Sequence, residues 1–109
     1  MKERDRYDAV KRLIDFNPTI YGLIFCRTKN ETATVAMKLA RDGYNAEPLH
    51  GDLTQAMRDR VMERFRSKEL QILVATDVAA RGLDINNITH VINYNLPDDI
   101  ENNTHRGGR

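Results

Sequence analysis

The sequence predicts an α/β fold, a mainly parallel sheet with helices on both faces. Three observations carry that expectation. Residues 23–26 (LIFC) and 70–75 (LQILVA) are short, nearly continuous apolar runs, as strands covered on both faces should be. Stretches with helical spacing lie between the strand candidates, so the two kinds of element alternate as in βαβ units, whose crossovers are almost always right-handed. Breakers stand at the joins, with Asn17-Pro18, Gly43 and Arg81-Gly82 each closing a segment. At 109 residues, with 40% hydrophobic and 30% charged side chains, there is material for one ordinary core and no second domain of usual size.

Each element can be justified in turn. Tyr7, Val10 and Ile14, with Leu13 beside them, recur at helical intervals, and Asn17-Pro18 stops that helix. Residues 23–26 form the first strand. Thr28 followed by Glu31 has capping-box spacing and opens a second helix, with Ala33, Ala36, Met37 and Ala40 as the expected buried stripe and Gly43 as its left-handed stop. Residues 46–49 are extended, and Pro48 assigns them to an edge or a strand end. Asp52 with Gln55 repeats the cap spacing and starts a third helix on Met57, Val61 and Phe65, ending near Ser67. Residues 70–75 are the strongest strand candidate, and residues 90–94 form another beyond the Arg81-Gly82 loop. Pro97-Asp98, with Glu101, opens a last helix that leads into residues 105–109 (HRGGR).

Composition narrows the function. No apolar run nears the ~18 residues of a membrane span, and the charged opening (Met1-Lys2-Glu3-Arg4-Asp5-Arg6) does not read as a secretory signal. A single cysteine, Cys26, cannot form an internal disulfide, which predicts a reducing, cytoplasmic setting. With a net charge of +1, any nucleic-acid binding must rest on a local patch.

Ligands of parallel sheets bind beyond the carboxyl ends of the strands, so functional residues should gather in 27–30, 50–55, 76–84 and the C-terminal tail. The chain has neither GxxxxGK[ST] nor GxGxxG, so it has no phosphate loop of its own. Arg58 follows Gln55 by one turn at a helix start, where backbone N–H groups favour phosphate; Arg60, Arg64 and Arg66 read as a solvated face. Asp77 reads as the cap of a helical turn. Arg81 and Asp84 flank a tight turn at Gly82, and either function or a mutual ion pair would account for them. Residues 105–109 combine three basic-capable side chains with two glycines, which fits a frayed terminus as well as phosphate contact. His50 and His90 lack metal-ligand spacing with each other or with Cys26, so no metal site is expected; His50 reads as a loop residue, His90 as an edge-strand polar residue and Cys26 as core. Aromatics are too sparse for base stacking, and Phe25 reads as core.

In this order the segments resemble the C-terminal RecA-like domain of DEAD-box ATP-dependent RNA helicases, and more loosely the bacterial cold-shock-type members. Residues 23–29 (LIFCRTK) look like motif IV. His50-Gly51-Asp52 and then Gln55-Ala56-Met57-Arg58 resemble the HGD element and the QxxR motif. Residues 74–85 (VATDVAARGLDI) are close to motif V, 91–97 (VINYNLP) to the element after it, and 105–109 to the opening of motif VI. The likeness spans roughly residues 20–109, and ARGLD separates this family from DNA-unwinding relatives.

The resemblance implies a RecA-like three-layer domain that closes with an N-terminal RecA-like domain of the same protein on ATP and on single-stranded or duplex RNA. ATP with Mg²⁺ would be held mainly by that N-terminal domain, which carries the phosphate loop and the DEAD acids. Carried over residue by residue, Thr28, Gly51, Gln55, Arg58 and Thr76, with Arg27, would face RNA phosphates and sugars. Asp84 would hydrogen-bond the ATP ribose, with Arg81 and Gly82 beside it. His105 would touch the DEAD segment, Arg106 would complete the catalytic set, and Arg109 would reach the γ-phosphate as an arginine finger, supported from behind by Phe25. Asn95 stands where an acid is usual, and Asn103 where an aromatic residue is common. Against the family pattern, residues 1–109 lack the last strand and helix. The expectations are therefore a fragment inactive by itself and an open sheet edge prone to self-association. Two further readings are a non-catalytic RecA-like module that binds RNA or protein, and a DNA-directed relative of the same superfamily.

Overall fold

The computed structural model describes residues 3–95. Along them run α1 (Glu3–Phe16), β1 (Gly22–Cys26), α2 (Lys29–Arg41), β2 (Ala46–Leu49), α3 (Gln55–Arg66), β3 (Ile72–Thr76), α4 (Asp77–Ala80) and β4 (His90–Asn93). The four strands make one sheet in the order β2-β3-β1-β4, with every neighbouring pair parallel. Pro48 lies in β2, at the sheet edge, where its missing N–H costs no ladder bond. The last expected helix, from Pro97-Asp98, lies outside the described residues, as do His105, Arg106 and Arg109.

Successive strand residues point to opposite faces, and the apolar runs supply both. Ile24, Cys26, Ile72, Val74 and Ile92 pack under α1 and α2, together with Tyr7, Val10, Ile14, Val35, Ala36 and Leu39. Leu23, Leu49, Leu73 and Ala75 pack on the other face against Val61, Met62 and Phe65 of α3. The result is the expected three-layer arrangement. Among the described residues, no helix is long and apolar enough to cross a membrane.

Several local expectations change. On α2 only Ala36 of the predicted stripe is buried; the buried face is Thr32, Val35, Ala36 and Leu39, while Met37 is 62% exposed. The helix has turned to bury its larger branched side chains, because exposing alanine methyls forgoes little hydrophobic free energy. Thr54, not Asp52, caps α3, accepting from the Met57 N–H at 3.1 Å. The stripe of α3 correspondingly runs through Val61, Met62 and Phe65, and Met57 stays 48% exposed in the first turn. Thr76, rather than Asp77, caps α4. β4 ends at Asn93, and His90, at 8% exposure, is buried rather than a solvated edge residue.

Candidate nucleic-acid and nucleotide interface

The parallel strands deliver their following loops to one rim. Beyond β1, β2 and β3 those loops, with the first turn of α3, enclose a hollow of about 470 Å³ lined by Arg27, Lys29, Gly51, Arg58, Thr76, Val78 and Ala79. Arg58 is half-buried there, its backbone already bonded to the Thr54 carbonyl at 2.9 Å. Its guanidinium and that of Arg27 make no hydrogen bond or ion pair among the described residues, whereas Lys29 pairs with Asp52 at 3.2 Å. Three cations facing one hollow favour a polyanion, and the two arginines present planar donor forks suited to phosphate.

Small residues leave the backbone open to the same hollow. A Cβ built on Gly51 would meet nothing within 4 Å. Packing therefore does not require a glycine there, and its missing side chain leaves room for a ligand to approach. Thr76 accepts from the Ala79 N–H at 3.2 Å and Thr28 from the Glu31 N–H at 3.0 Å. Each threonine caps a helix through its oxygen lone pairs. The O–H of Thr76 remains able to donate to a ligand oxygen.

Two further hollows adjoin the central one. One, of about 690 Å³, includes Gln55, Arg58, Asp59, Arg66 and Leu83, and Gln55 donates to Asp59 at 2.8 Å. The other, of about 210 Å³, is lined by Phe25, Cys26, Arg27, Asp77, Asn93 and Asn95. Arg27 and Arg58 are the shared walls; the smaller hollow stays at the carboxyl rim, while the larger one runs from Gln55 along α3 to Ser67, toward the amino ends of the strands. Arg27, Gly51, Arg58 and Thr76 are thus brought together, with Gln55 on the adjoining wall and Thr28 at the cap beside them. Arg81, Gly82 and Asp84 lie apart, in the exposed loop after α4. Gly82 has a φ of +80°, the left-handed conformation expected of the tight turn. No ion pair joins Arg81 to Asp84, and the Asp84 carboxylate accepts no hydrogen bond among the described residues.

A family model described as the helicase conserved C-terminal domain matches residues 5–109. The chain belongs to that family. A probable ATP-dependent RNA helicase of Methanocaldococcus jannaschii, MJ0669, is 44% identical over 109 residues, covering 100% of this chain and 29% of the relative. The crystal structure of a DEAD box protein from the hyperthermophile Methanococcus jannaschii superposes with a TM-score of 0.79 at 44% identity, over 100% of this chain and 30% of that one. Saccharomyces cerevisiae Dbp5 bound to RNA and ADP BeF3 gives 0.78 at 35% identity, over 88% and 25%. The chain therefore spans under a third of each, and it is a RecA-like C-terminal domain of the DEAD-box type.

In this helicase C-terminal domain, sequence reasoning missed three residues that line the central hollow, Lys29, Val78 and Ala79. Lys29 sits inside the 27–30 loop, so rim position was a usable signal for it. Val78, 76% exposed in the first turn of α4, and Ala79 fall inside the 76–84 stretch and so shared that signal, but an apolar side chain in it reads as core. His50 stays at the loop, its Nδ1 accepting from the Asp52 N–H at 3.2 Å. Among the described residues, no three His, Cys, Asp or Glu side chains converge in metal-binding geometry.

Proposed function

We propose that this chain is the C-terminal half of an ATP-dependent RNA helicase, gripping the RNA backbone and forming the far wall of the ATP site in a cytoplasmic enzyme. The hollow at the carboxyl rim carries this reading, because it gathers Arg27, Gly51, Arg58 and Thr76 around a space that suits a phosphate chain. Support comes from relatives named ATP-dependent RNA helicases and from a similar fold in Dbp5 bound to RNA and ADP BeF3. Backbone contacts of this kind give affinity without reading sequence, and they weaken with salt.

Asp84 suits the nucleotide role, since an exposed carboxylate not tied to Arg81 is free to accept a ribose hydroxyl. Mg²⁺ and the phosphates belong to the N-terminal domain, which supplies the phosphate loop this chain lacks. Phosphoryl transfer is mostly positioning and charge stabilisation, and an arginine aimed at the transferring group is worth ~10³–10⁵ in rate. Placing Arg109 on a separate domain makes hydrolysis conditional on closure around RNA. In the full-length helicase, Arg109→Ala should abolish RNA-stimulated ATP turnover while RNA affinity stays within about two-fold. Undiminished turnover would defeat the arginine-finger role.

A further inference from the structure

Four elements meet on one carboxylate beside the central hollow. Glu31, in the first turn of α2, accepts through Oε1 from the backbone N–H of Arg27 at 3.2 Å and from the side-chain amide of Asn95 at 3.2 Å. Its Oε2 faces Arg6 Nη1 of α1 at 3.9 Å, with both side chains about three-quarters covered. Arg6 also donates to Asn95 Oδ1 at 3.2 Å and lies over the Tyr94 ring, 5.8 Å from its centroid. Tyr94 is fully buried, and its N–H bonds to the Phe25 carbonyl at 2.9 Å. The arrangement is not the reciprocal capping box that the Thr28/Glu31 spacing suggests. Thr28 holds the Glu31 N–H as expected, but the carboxylate reaches past Thr28 to the preceding amide.

Arg27 is the first residue beyond β1, where the sheet no longer supplies a partner for its N–H. The partner it finds is a side chain whose orientation is set by Arg6 and Asn95. We infer that Arg6 and Glu31 are positioning residues for the RNA-facing loop 27–29, tying the direction of α1 to the placement of Arg27 and Lys29; this rests on the RNA reading above. Arg6 lies on the helix that leads into β1, so the clamp joins that helix to the loop leaving the same strand. The loop's cations work only if aimed at the phosphate path. A charge-assisted contact holds such an aim more firmly than neutral hydrogen bonds do.

The test measures binding of a fluorescein-labelled single-stranded oligouridine to the intact chain by anisotropy, alongside hydrogen exchange at the Arg27 amide. Glu31→Ala should raise the Kd roughly ten-fold and Arg6→Ala roughly three-fold, each with faster exchange at Arg27. Arg6→Lys should recover most of the affinity. Glu31→Gln, which keeps an oxygen acceptor for Arg27, should fall between wild type and Glu31→Ala. Adding Arg6→Ala to Arg27→Ala should change little further, because Arg6 acts through that loop; a merely structural role would add its full effect and lower stability in proportion. Arg58→Ala reports separately on the RNA reading. If Arg58→Ala weakens binding while Arg6→Ala and Glu31→Ala do not, the clamp's role is overturned and the RNA reading stands. If Arg58→Ala leaves binding unchanged, the RNA reading fails and takes the clamp's role with it, whatever the Arg27 amide shows.

Discussion

At the amino ends of the strands, Tyr21 donates its hydroxyl to the Phe65 carbonyl at 2.5 Å and stacks on the Phe65 ring, while its N–H bonds to Thr89 Oγ1 at 2.9 Å. Gln71 donates from its amide to the Pro18 carbonyl, and Arg64 pairs with both Glu47 and Glu69. At the carboxyl ends of the same strands, Arg27, Arg58 and Arg81 make no side-chain hydrogen bond or ion pair among the described residues, and Gly51 leaves open space. One sheet thus has an end whose polar groups satisfy one another and an end where Lys29 and Glu31 are paired but the guanidiniums of Arg27, Arg58 and Arg81 are not, among the described residues. The lesson is that arginine count says little: Arg64 and Arg58 sit on the same helix, two turns apart, in opposite circumstances. The neighbouring carboxylates hold the Arg64 guanidinium above its ordinary pKa, a mark of a structural pair.

The contrast can be broken most forcefully at Phe65. It is fully buried and anchors α3 at the amino end, so Phe65→Ala should cost about 3–5 kcal/mol in urea denaturation. A loss below about 1 kcal/mol would deny that this end holds the fold. Next, Arg58→Ala and Arg64→Ala should separate cleanly. Arg58→Ala should weaken RNA binding several-fold for all sequences and reduce the salt slope by about one, with stability almost unchanged. Arg64→Ala should lower stability by no more than about 1 kcal/mol, since the pair is partly exposed, and leave the salt slope alone. Equal salt slopes in the two variants would erase the distinction.

The smallest effect concerns pH. Burial at the start of β4 lowers the pKa of His90 from its ordinary value of 6.5, because the charged form is disfavoured there. In the window just below 6.5 the unfolded chain therefore binds more protons than the folded one, so stability should rise with pH through that window and level off above it. His90→Gln should flatten this rise in thermal melts taken from pH 5.5 to 7.5. An unchanged slope would place the titration elsewhere.

Much of this was legible in the chain. The strands of the sheet interior announce themselves through unbroken apolar runs, and Thr28, Gly43, Pro48 and Gly82 act where their local chemistry says they should. The rim was legible too, because parallel strands send all their following loops to one side. The buried faces of α2 and α3 were not. Alanine and methionine spacing competes there with Val35, Leu39 and Met62, and periodicity alone cannot weigh side-chain size against the shape of the surface beneath. Nor could capping spacing distinguish Asp52 from Thr54, since either can accept from a backbone N–H two or three residues on.

What the sequence determined by itself are features decided within a few residues: the apolar runs of the interior strands, the Thr28 cap of α2, and the left-handed turns at Gly43 and Gly82. The tertiary structure alone decided that Arg27, Arg58 and Thr76 share a hollow, that His90 is covered, and that Glu31 serves Arg27, Asn95 and Arg6 at once. Those outcomes join groups up to 89 residues apart, as in the Arg6–Asn95 bond. Contacts at such separations form only after the sheet has assembled, because chain entropy opposes them until hydrophobic burial has brought the elements together.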